Sequence, residues 1–142
     1  MAEMISSEVP STYMLGQYRA PMMSSWFFSA CHPFSLSLTF HVGEHGTVER
    51  SFARELLLAT LYQESSVFRG QGDVGLKRVQ FHDNIEIVYL YLSGPFGPAV
   101  IAMDAVPLYG FAKRTLDAVP LGDEPPDDDL AEEIAKLDNC VW

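Results

Sequence analysis

The chain has 142 residues, 48% of them hydrophobic, and a formal net charge of −10 with a pI near 4.6. This length fits a single domain over residues 1–142, and the apolar content is sufficient for a core without a metal or disulfide staple. The acidic balance leaves no positive stripe of the kind that binds a phosphate backbone, so we expect no direct nucleic-acid contact.

The N-terminal residues carry no targeting signal, because residues 1–8 lack a basic region. The most apolar early stretch, residues 22–30, is much shorter than the roughly 20 residues of a membrane helix, so we expect no membrane insertion. Cys31 and Cys140 form neither a short-spaced metal pair nor a disulfide framework. The sequence therefore predicts a soluble cytoplasmic protein with a buried free thiol at Cys31.

Alternation of apolar and polar residues is the clearest strand signal in the first half. It runs over residues 34–42 and predicts a strand with one buried face. The side chains expected to face the core are Phe34, Leu36, Leu38, Phe40 and Val42. A hairpin turn at 43–46 leads to a returning strand over 47–52. A short strand over 11–18 is also predicted, although Gly16 weakens that pattern.

Apolar residues at helical spacing then predict a helix over 53–63, with Ser51 as its cap. A loop over 64–72 precedes two strands, residues 73–80 and 85–92. The second of these is apolar on both faces except at Glu86, which favours a central strand covered on both sides.

The last predicted elements are a strand over 99–104 and a helix over 108–118, opened by Pro107. Residues 125–142 form an acidic C-terminal segment, in which Asp127, Asp128 and Asp129 suit the start of a short helix. Antiparallel β-sheets with a mid-chain helix and C-terminal helices indicate an α+β domain.

Three patterns resemble chemical motifs but lack the context that those motifs need. His41 and His45 fit H-x-x-E-H, yet they lie on a strand and a turn instead of one helix face. Residues 70–75 fit G-x-G-x-x-G, but they follow a helix and lead into a strand. Cys31 and His32 are adjacent and would point to opposite faces of a strand. We therefore predict no catalytic residue, no cofactor and no metal, and a protein that is not an enzyme.

The aromatic cluster Trp26, Phe27 and Phe28 allows three interpretations. Large aromatic side chains dominate protein cores, which makes a core position the favoured one. Trp and Phe are also enriched at interfaces, so the cluster is our first candidate for a partner or oligomer surface. Base stacking would need flanking basic residues, and only Arg19 is near.

Four stretches carry a family pattern: H-P-F-S-L-S-L-T-F from residue 32, F-A-R-E-L-L from residue 52, G-Q-G-D-V from residue 70, and a last group over 92–124. The motif residues are Phe52, Ala53, Arg54, Glu55, Leu56, Leu57, Gly72, Asp73, Val74, Pro95, Gly97, Arg114, Thr115 and Pro120. In order and spacing they resemble the SsgA-like family of actinobacterial sporulation and septation proteins. The resemblance covers 33–124, whereas residues 1–28 match poorly.

This resemblance implies a cell-division adaptor that controls where septa form, by recruiting or organising the tubulin-like protein FtsZ or the septal wall-synthesis machinery. It also implies a location at the septum, work with other divisome proteins and paralogues, and a Whirly-like fold in a homotrimer. A Whirly-like single-stranded nucleic-acid-binding protein is the alternative function, and the acidic charge counts against it.

Overall fold

The computed structural model describes residues 4–41, 46–93 and 98–122. Within these ranges the chain forms eight strands and two α-helices. The first half contains β1 (Met4–Leu15), β2 (Tyr18–Ser29), β3 (Ser35–His41), β4 (Thr47–Ala53) and α1 (Arg54–Tyr62). The second half contains β5 (Arg69–Gln71), β6 (Val74–Gln80), β7 (Glu86–Leu92), β8 (Ala99–Asp104) and α2 (Ala105–Ala118).

All eight strands belong to one antiparallel sheet in the order β4-β3-β2-β1-β8-β7-β6-β5. Each half of the chain is therefore a four-stranded meander followed by a helix, although the sequence shows no repeat. The halves join where Ser11 to Met14 of β1 pair with Val100 to Met103 of β8. This architecture confirms the predicted α+β class.

The two edge strands of the sheet, β4 and β5, approach each other, so the sheet curls almost into a barrel. The backbone N–H of Ala53 in β4 donates to Gln71 Oε1 in β5 at 2.8 Å. Beside it, Arg50 Nε and Asp73 Oδ2 form an ion pair at 3.2 Å, although the two groups are not aligned for a hydrogen bond. Side chains thus protect two strand edges that would otherwise be free to pair with other chains.

Both helices pack on the inner face of this curled sheet and share one hydrophobic core with it. Leu36, Leu38 and Phe40 show why the sequence folds this way, because every second residue of β3 is fully buried. The same alternation occurs in β7, where Val88, Leu90 and Leu92 are buried. From the helices, the core receives Leu57, Leu58, Leu61, Leu108, Phe111 and Ala112.

The strands predicted over 34–42, 47–52, 73–80, 85–92 and 99–104 are confirmed as β3, β4, β6, β7 and β8, with bounds that differ by at most one residue at each end. Both helices described are confirmed as well. One inward side chain is wrong: Phe34 is 45% exposed. The chain turns just before Ser35, where the Ser35 N–H donates to the carbonyl of His32, and this places Phe34 outside the alternation.

The N-terminal region differs most from its prediction. Instead of a short strand over 11–18, the chain forms a hairpin of two twelve-residue strands, β1 and β2, around a turn at Gly16. Gly16 has a φ of +58°, so it forms the turn and does not interrupt a strand. The loop predicted over 64–72 also contains a short strand, β5, which pairs with β6.

Neither helix begins where the sequence predicted. Ser51 is not the cap of α1, because it lies inside β4 opposite Ser37. The cap position belongs to Ala53, which has no side-chain hydrogen bond to the helix. Helix α2 begins three residues early, since Asp104 Oδ1 accepts from the N–H of Val106 at 2.8 Å and caps it.

Several predictions lie outside the described residues: the inward position of Val42, the turn at 43–46 in most of its length, Pro95, Gly97 and the acidic segment 125–142. Cys31 is part of a disulfide, so the predicted free thiol is wrong. Cys140, the second cysteine of the sequence, lies outside the described part. In the described part of the chain, no helix combines the length and apolarity needed to cross a membrane.

Candidate interaction surface

The face of the sheet that points away from the helices is apolar in its second half. In β7, Ile87, Tyr89 and Tyr91 point to this side and stay partly exposed, while their neighbours enter the core. Among the described elements, α1 and α2 pack against the other face and no helix covers this one, so the predicted cover on both sides is not seen in this part of the chain.

Strand register extends this apolar surface across the centre of the sheet. Tyr91 pairs with Val100, which pairs with Met14, and Tyr89 pairs with Ala102. We define the outer apolar face by these residues and Ile87: Met14, Ile87, Tyr89, Tyr91, Val100 and Ala102. A cation marks each margin, since Lys77 lies opposite Tyr89 and Arg19 lies opposite Met14. Tyr and Met are typical interface residues, and this face is the strongest candidate for a partner surface among the described residues.

The aromatic cluster proposed as a partner surface divides between the two faces of β2. Trp26 and Phe28 have no exposed area and belong to the core, so they are wrong as surface candidates in the single chain. The Trp26 ring packs against Phe52 and Phe111, and its N–H donates to Ser24 Oγ at 3.2 Å. Phe27 points to the opposite face and is half-buried.

Two of the sequence motifs meet inside the protein at Arg54. This side chain is only 2% exposed, and its Nη1 donates to the carbonyls of Thr115 at 3.1 Å and Val119 at 2.7 Å. The guanidinium also lies over the Phe28 ring, 5.0 Å from the centroid. Arg54 therefore holds the start of α1 against the C-terminal end of α2, where the carbonyl of Thr115 also accepts from the N–H of Val119 at 2.9 Å.

The G-x-G-D-V motif forms the turn between β5 and β6. Gly72 has a φ of +60°, a conformation that glycine adopts without steric cost. Asp73 then contacts two other strands: its carboxylate pairs with Arg50 of β4, and its carbonyl accepts from the N–H of Ser93 at the end of β7. This motif thus fastens the edge of the curled sheet.

The remaining motif residues are also structural where they are described. Arg114 Nη2 donates to the carbonyl of Ser6 in β1 at 3.0 Å, while Thr115 is buried and bonds back to the carbonyl of Ala112. The positions within the core are Phe52, Leu57 and Val74, and those at or near the surface are Ala53, Glu55, Leu56 and Pro120. The motif residues therefore stabilise the fold and do not converge on one surface site.

A polar cluster that the sequence did not predict lies at the other end of α1. Arg78 Nε donates to the carbonyl of Thr60 at 2.8 Å, and its Nη1 pairs with the carboxylate of Glu86. The Tyr109 hydroxyl donates to the carbonyl of Leu61 at 2.9 Å and lies 3.3 Å from both Glu86 oxygens. In the sequence, Arg78 follows Val74 and Leu76 at every second position of β6. This place in an inward-facing row is the feature that could have indicated a buried role for Arg78.

Burial raises the pKa of Tyr109 above the ordinary value of 10.0; Arg78 lowers it, and the Glu86 carboxylate raises it. Because Tyr109 loses its proton at a lower pH in the unfolded chain than in the folded protein, its contribution to stability is fully present below pH 10. That contribution falls as the pH rises from there towards the pKa of the folded state. We expect the melting temperature to fall more steeply between pH 10 and 11 in the parent protein than in Tyr109→Phe. Tyr18→Phe, which alters an exposed phenol, should follow the parent; equal slopes in all three proteins would contradict this prediction.

Within the described ranges, no group of three His, Cys, Asp or Glu side chains is placed to hold a metal. His41 lies exposed at the end of β3, and His45 lies outside those ranges.

The described residues include nine acids and eight bases, so most of the net charge of −10 comes from the rest of the chain.

Comparison with known proteins places this chain among sporulation proteins. The family described as "Streptomyces sporulation and cell division protein, SsgA" matches residues 22–124, which is more than half of the sequence. The chain belongs to the SsgA family. Two relatives are named sporulation-specific cell division protein SsgB. The one from Thermobifida fusca is 37% identical to this chain, and the one from Streptomyces coelicolor is 34% identical to it. Each alignment covers 82% of this chain, and 80% and 82% of the respective relative.

Solved structures agree with this membership. The crystal structure of an SsgA-like sporulation-specific cell division protein from Thermobifida fusca has a TM-score of 0.79 at 31% identity and covers 96% of both chains. A second structure, from work on mutations in SsgB that correlate to longitudinal cell division in Streptomyces coelicolor, has a TM-score of 0.75 at 32% identity. It covers 87% of this chain and 94% of the other.

The SsgA family match extends the resemblance that the motifs indicated. The resemblance covers residues 33–124, whereas the family match begins at residue 22, within β2. It therefore includes Trp26 and Phe28, whose rings fill the core between Phe52 and the helices. Strand β1, which joins the two halves of the sheet, precedes the matched region.

Proposed function

We propose that this protein is a non-enzymatic adaptor of sporulation-specific cell division that acts at the septum. In this role it recruits or organises FtsZ or the septal wall-synthesis machinery, as a homotrimer with a Whirly-like fold and together with paralogues. The observation that carries the proposal is membership of the SsgA family, with SsgB relatives at 34–37% identity over 82% of the chain.

The outer apolar face supports an adaptor that works through surface contacts. Tyr89, Tyr91 and Val100 are arranged side by side on a sheet face that neither of the two described helices covers. Apolar patches of this kind are typical of protein interfaces, and Tyr is among the residues that most often dominate them. Contact with a divisome protein or with another copy of the chain would cover this surface.

The alternative of single-stranded nucleic-acid binding gains little support from the charge. Lys77 and Arg19 lie at opposite margins of the outer apolar face, so they form no continuous basic track. A nucleic-acid binder would show an affinity that falls steeply with salt. We expect no such binding to a labelled single-stranded oligonucleotide at low salt.

A fluorescent fusion, shown to restore septation in a deletion strain, tests the proposed function. We expect rings or ladders that coincide with FtsZ during sporulation septation. A diffuse signal at every stage, together with normal septa in the deletion strain, would overturn the proposal.

The outer apolar face provides a sharper test. Tyr89→Glu places a charge at its centre without removing a core side chain, since Tyr89 points away from the helices. We expect this variant to keep its melting temperature within a few degrees and to lose binding to its partner or to its own copies by about tenfold or more. Fluorescence anisotropy with purified FtsZ and light scattering measure the two associations. Tyr18→Glu, at the exposed tip of the β1–β2 hairpin, is the matched control.

If Tyr89→Glu and Tyr18→Glu both localise, associate and complement like the parent, the outer apolar face is not the interaction surface.

A further inference from the structure

A groove of about 460 Å³ lies on the first half of the sheet, along strands β2, β3 and β4. Its lining combines the apolar side chains of Met4, Phe27 and Leu36 with the polar ones of Ser35, Ser37, Thr39, Glu49 and Ser51. Its volume is within the roughly 300–1,000 Å³ of small-molecule sites. The groove and the outer apolar face share no residue, although β1 carries Met4 of the groove at one end and Met14 of the outer apolar face near the other.

Strand register places one aromatic ring beside a row of hydroxyls. Phe27 of β2 pairs with Ser37 of β3, which pairs with Ser51 of β4. In the next outward row, Thr39 pairs with Glu49. The groove therefore presents an aromatic surface at one side and hydroxyl and carboxylate groups at the other.

These side chains determine which ligands are compatible. A hydroxyl both donates and accepts hydrogen bonds, and an ionised carboxylate accepts them, which suits ligands rich in hydroxyl groups. An aromatic ring offers an apolar face for the C–H side of a sugar ring. Among the lining residues described, none is basic, so a phosphate or a carboxylate would find no charge partner.

We propose that this groove binds a neutral polyhydroxylated chain, a short stretch of glycan, with one sugar ring stacked on Phe27. Glu49 and the hydroxyls of Ser37 and Ser51 would bond to the sugar hydroxyls. This binding goes beyond the adaptor function and does not depend on it, because it uses a different part of the sheet.

Titration of the isotope-labelled full chain, followed by NMR, tests the proposal with two soluble probes, cellotetraose and tetra-N-acetylchitotetraose. We expect chemical-shift changes confined to β2, β3 and β4, with a Kd of about 1 mM for at least one probe. Phe27→Ala should raise that Kd about tenfold, equivalent to a loss of about 1.4 kcal/mol. Glu49→Gln should raise it about threefold, because the amide keeps one acceptor.

The control is Tyr18→Ala, which removes an exposed aromatic ring from the same hairpin outside the groove and should leave the Kd unchanged. Shifts that persist unaltered in Phe27→Ala, or no shifts with either probe, would overturn the proposal. So would shifts produced only by a neutral Ser/Thr-rich peptide, which would make the groove a peptide site. A change of oligomeric mass in Phe27→Ala, measured by light scattering, would instead identify it as a contact between copies.

Discussion

Replacing Arg54 with alanine is expected to lower the free energy of unfolding by about 3–5 kcal/mol. The guanidinium is buried and donates to two carbonyls at the end of α2, those of Thr115 and Val119. Without it both carbonyls lose a charged donor; that of Thr115 keeps the N–H of Val119, whereas a buried acceptor left unsatisfied costs about 1–3 kcal/mol. The contact with the Phe28 ring is lost as well.

Urea unfolding of Arg54→Ala, Arg54→Lys and Arg19→Ala measures this effect. Arg19 is the matched control, because its Nη1 also donates to two backbone carbonyls, of Gly16 and Tyr18, but at the surface. We expect Arg19→Ala to change stability by no more than about 0.5 kcal/mol. Arg54→Lys should fall between the other two, since an ammonium lacks the planar fork that reaches both carbonyls. A loss below about 1 kcal/mol in Arg54→Ala would show that the α2 end finds other partners.

Substitutions in the F-A-R motif should therefore impair function by lowering the amount of folded protein in the cell. A loss of several kcal/mol is a large part of the about 5–15 kcal/mol that stabilises a domain. Septation defects of Arg54→Ala should therefore be accompanied by a low cellular level of the protein, whereas Tyr89→Glu should be present at the normal level and fail to associate.

Local patterning was sufficient to predict most of the sheet. The alternation from Leu36 to Phe40 and the apolar run from Ile87 to Leu92 identified β3 and β7, because side chains alternate between the faces of any strand. The spacing of Leu57 and Leu61 likewise identified α1. The prediction that the G-x-G-D-V residues lead into a strand is confirmed, since this turn connects β5 and β6.

Features that depend on distant contacts could not be predicted in this way. Strands β1 and β2 carry Ser11, Ser24 and Ser25 in buried positions, which breaks the apolar pattern. Ser11 and Ser24 bond to each other and to the carbonyl of Val9, and this network also accepts the Trp26 N–H. Arg54 and Arg78 were equally hidden, because capping a helix depends on which residues the fold brings to its end.

The faces to which the aromatic side chains point could not be predicted for a related reason. Trp26, Phe27 and Phe28 are three consecutive aromatic residues, so the sequence does not show which of them enter the core. Their orientation depends on the pairing of β2 with β1 and β3. The apolar outer face arises from β1, β7 and β8, which are far apart in sequence. Its largest side chains, Tyr89 and Tyr91, were assigned to a covered strand.

Trp26 and its neighbour Phe27 point to opposite faces of β2, so replacing each of them with alanine should have very different effects on stability. Trp26→Ala is expected to lower the free energy of unfolding by about 3–5 kcal/mol, the usual cost of removing a buried aromatic side chain. The ring lies 5.8 Å from Phe52, perpendicular to it, and 6.1 Å from Phe111. Its loss leaves a cavity at the junction of β2, β4 and α2, and leaves Ser24 without one donor.

Phe27→Ala, by contrast, should cost no more than about 1 kcal/mol, because Phe27 is half-buried on the opposite face and removing it opens no internal cavity. Urea unfolding and near-UV circular dichroism distinguish the two variants: Trp26→Ala should lose both stability and fixed tertiary signal, whereas Phe27→Ala should keep both. If instead Trp26→Ala remained as stable as the parent and lost only self-association, the ring would belong to an interface and the position of β2 in the core would be wrong. The pair thus tests the register of β2, on which both the core and the groove beside Phe27 depend.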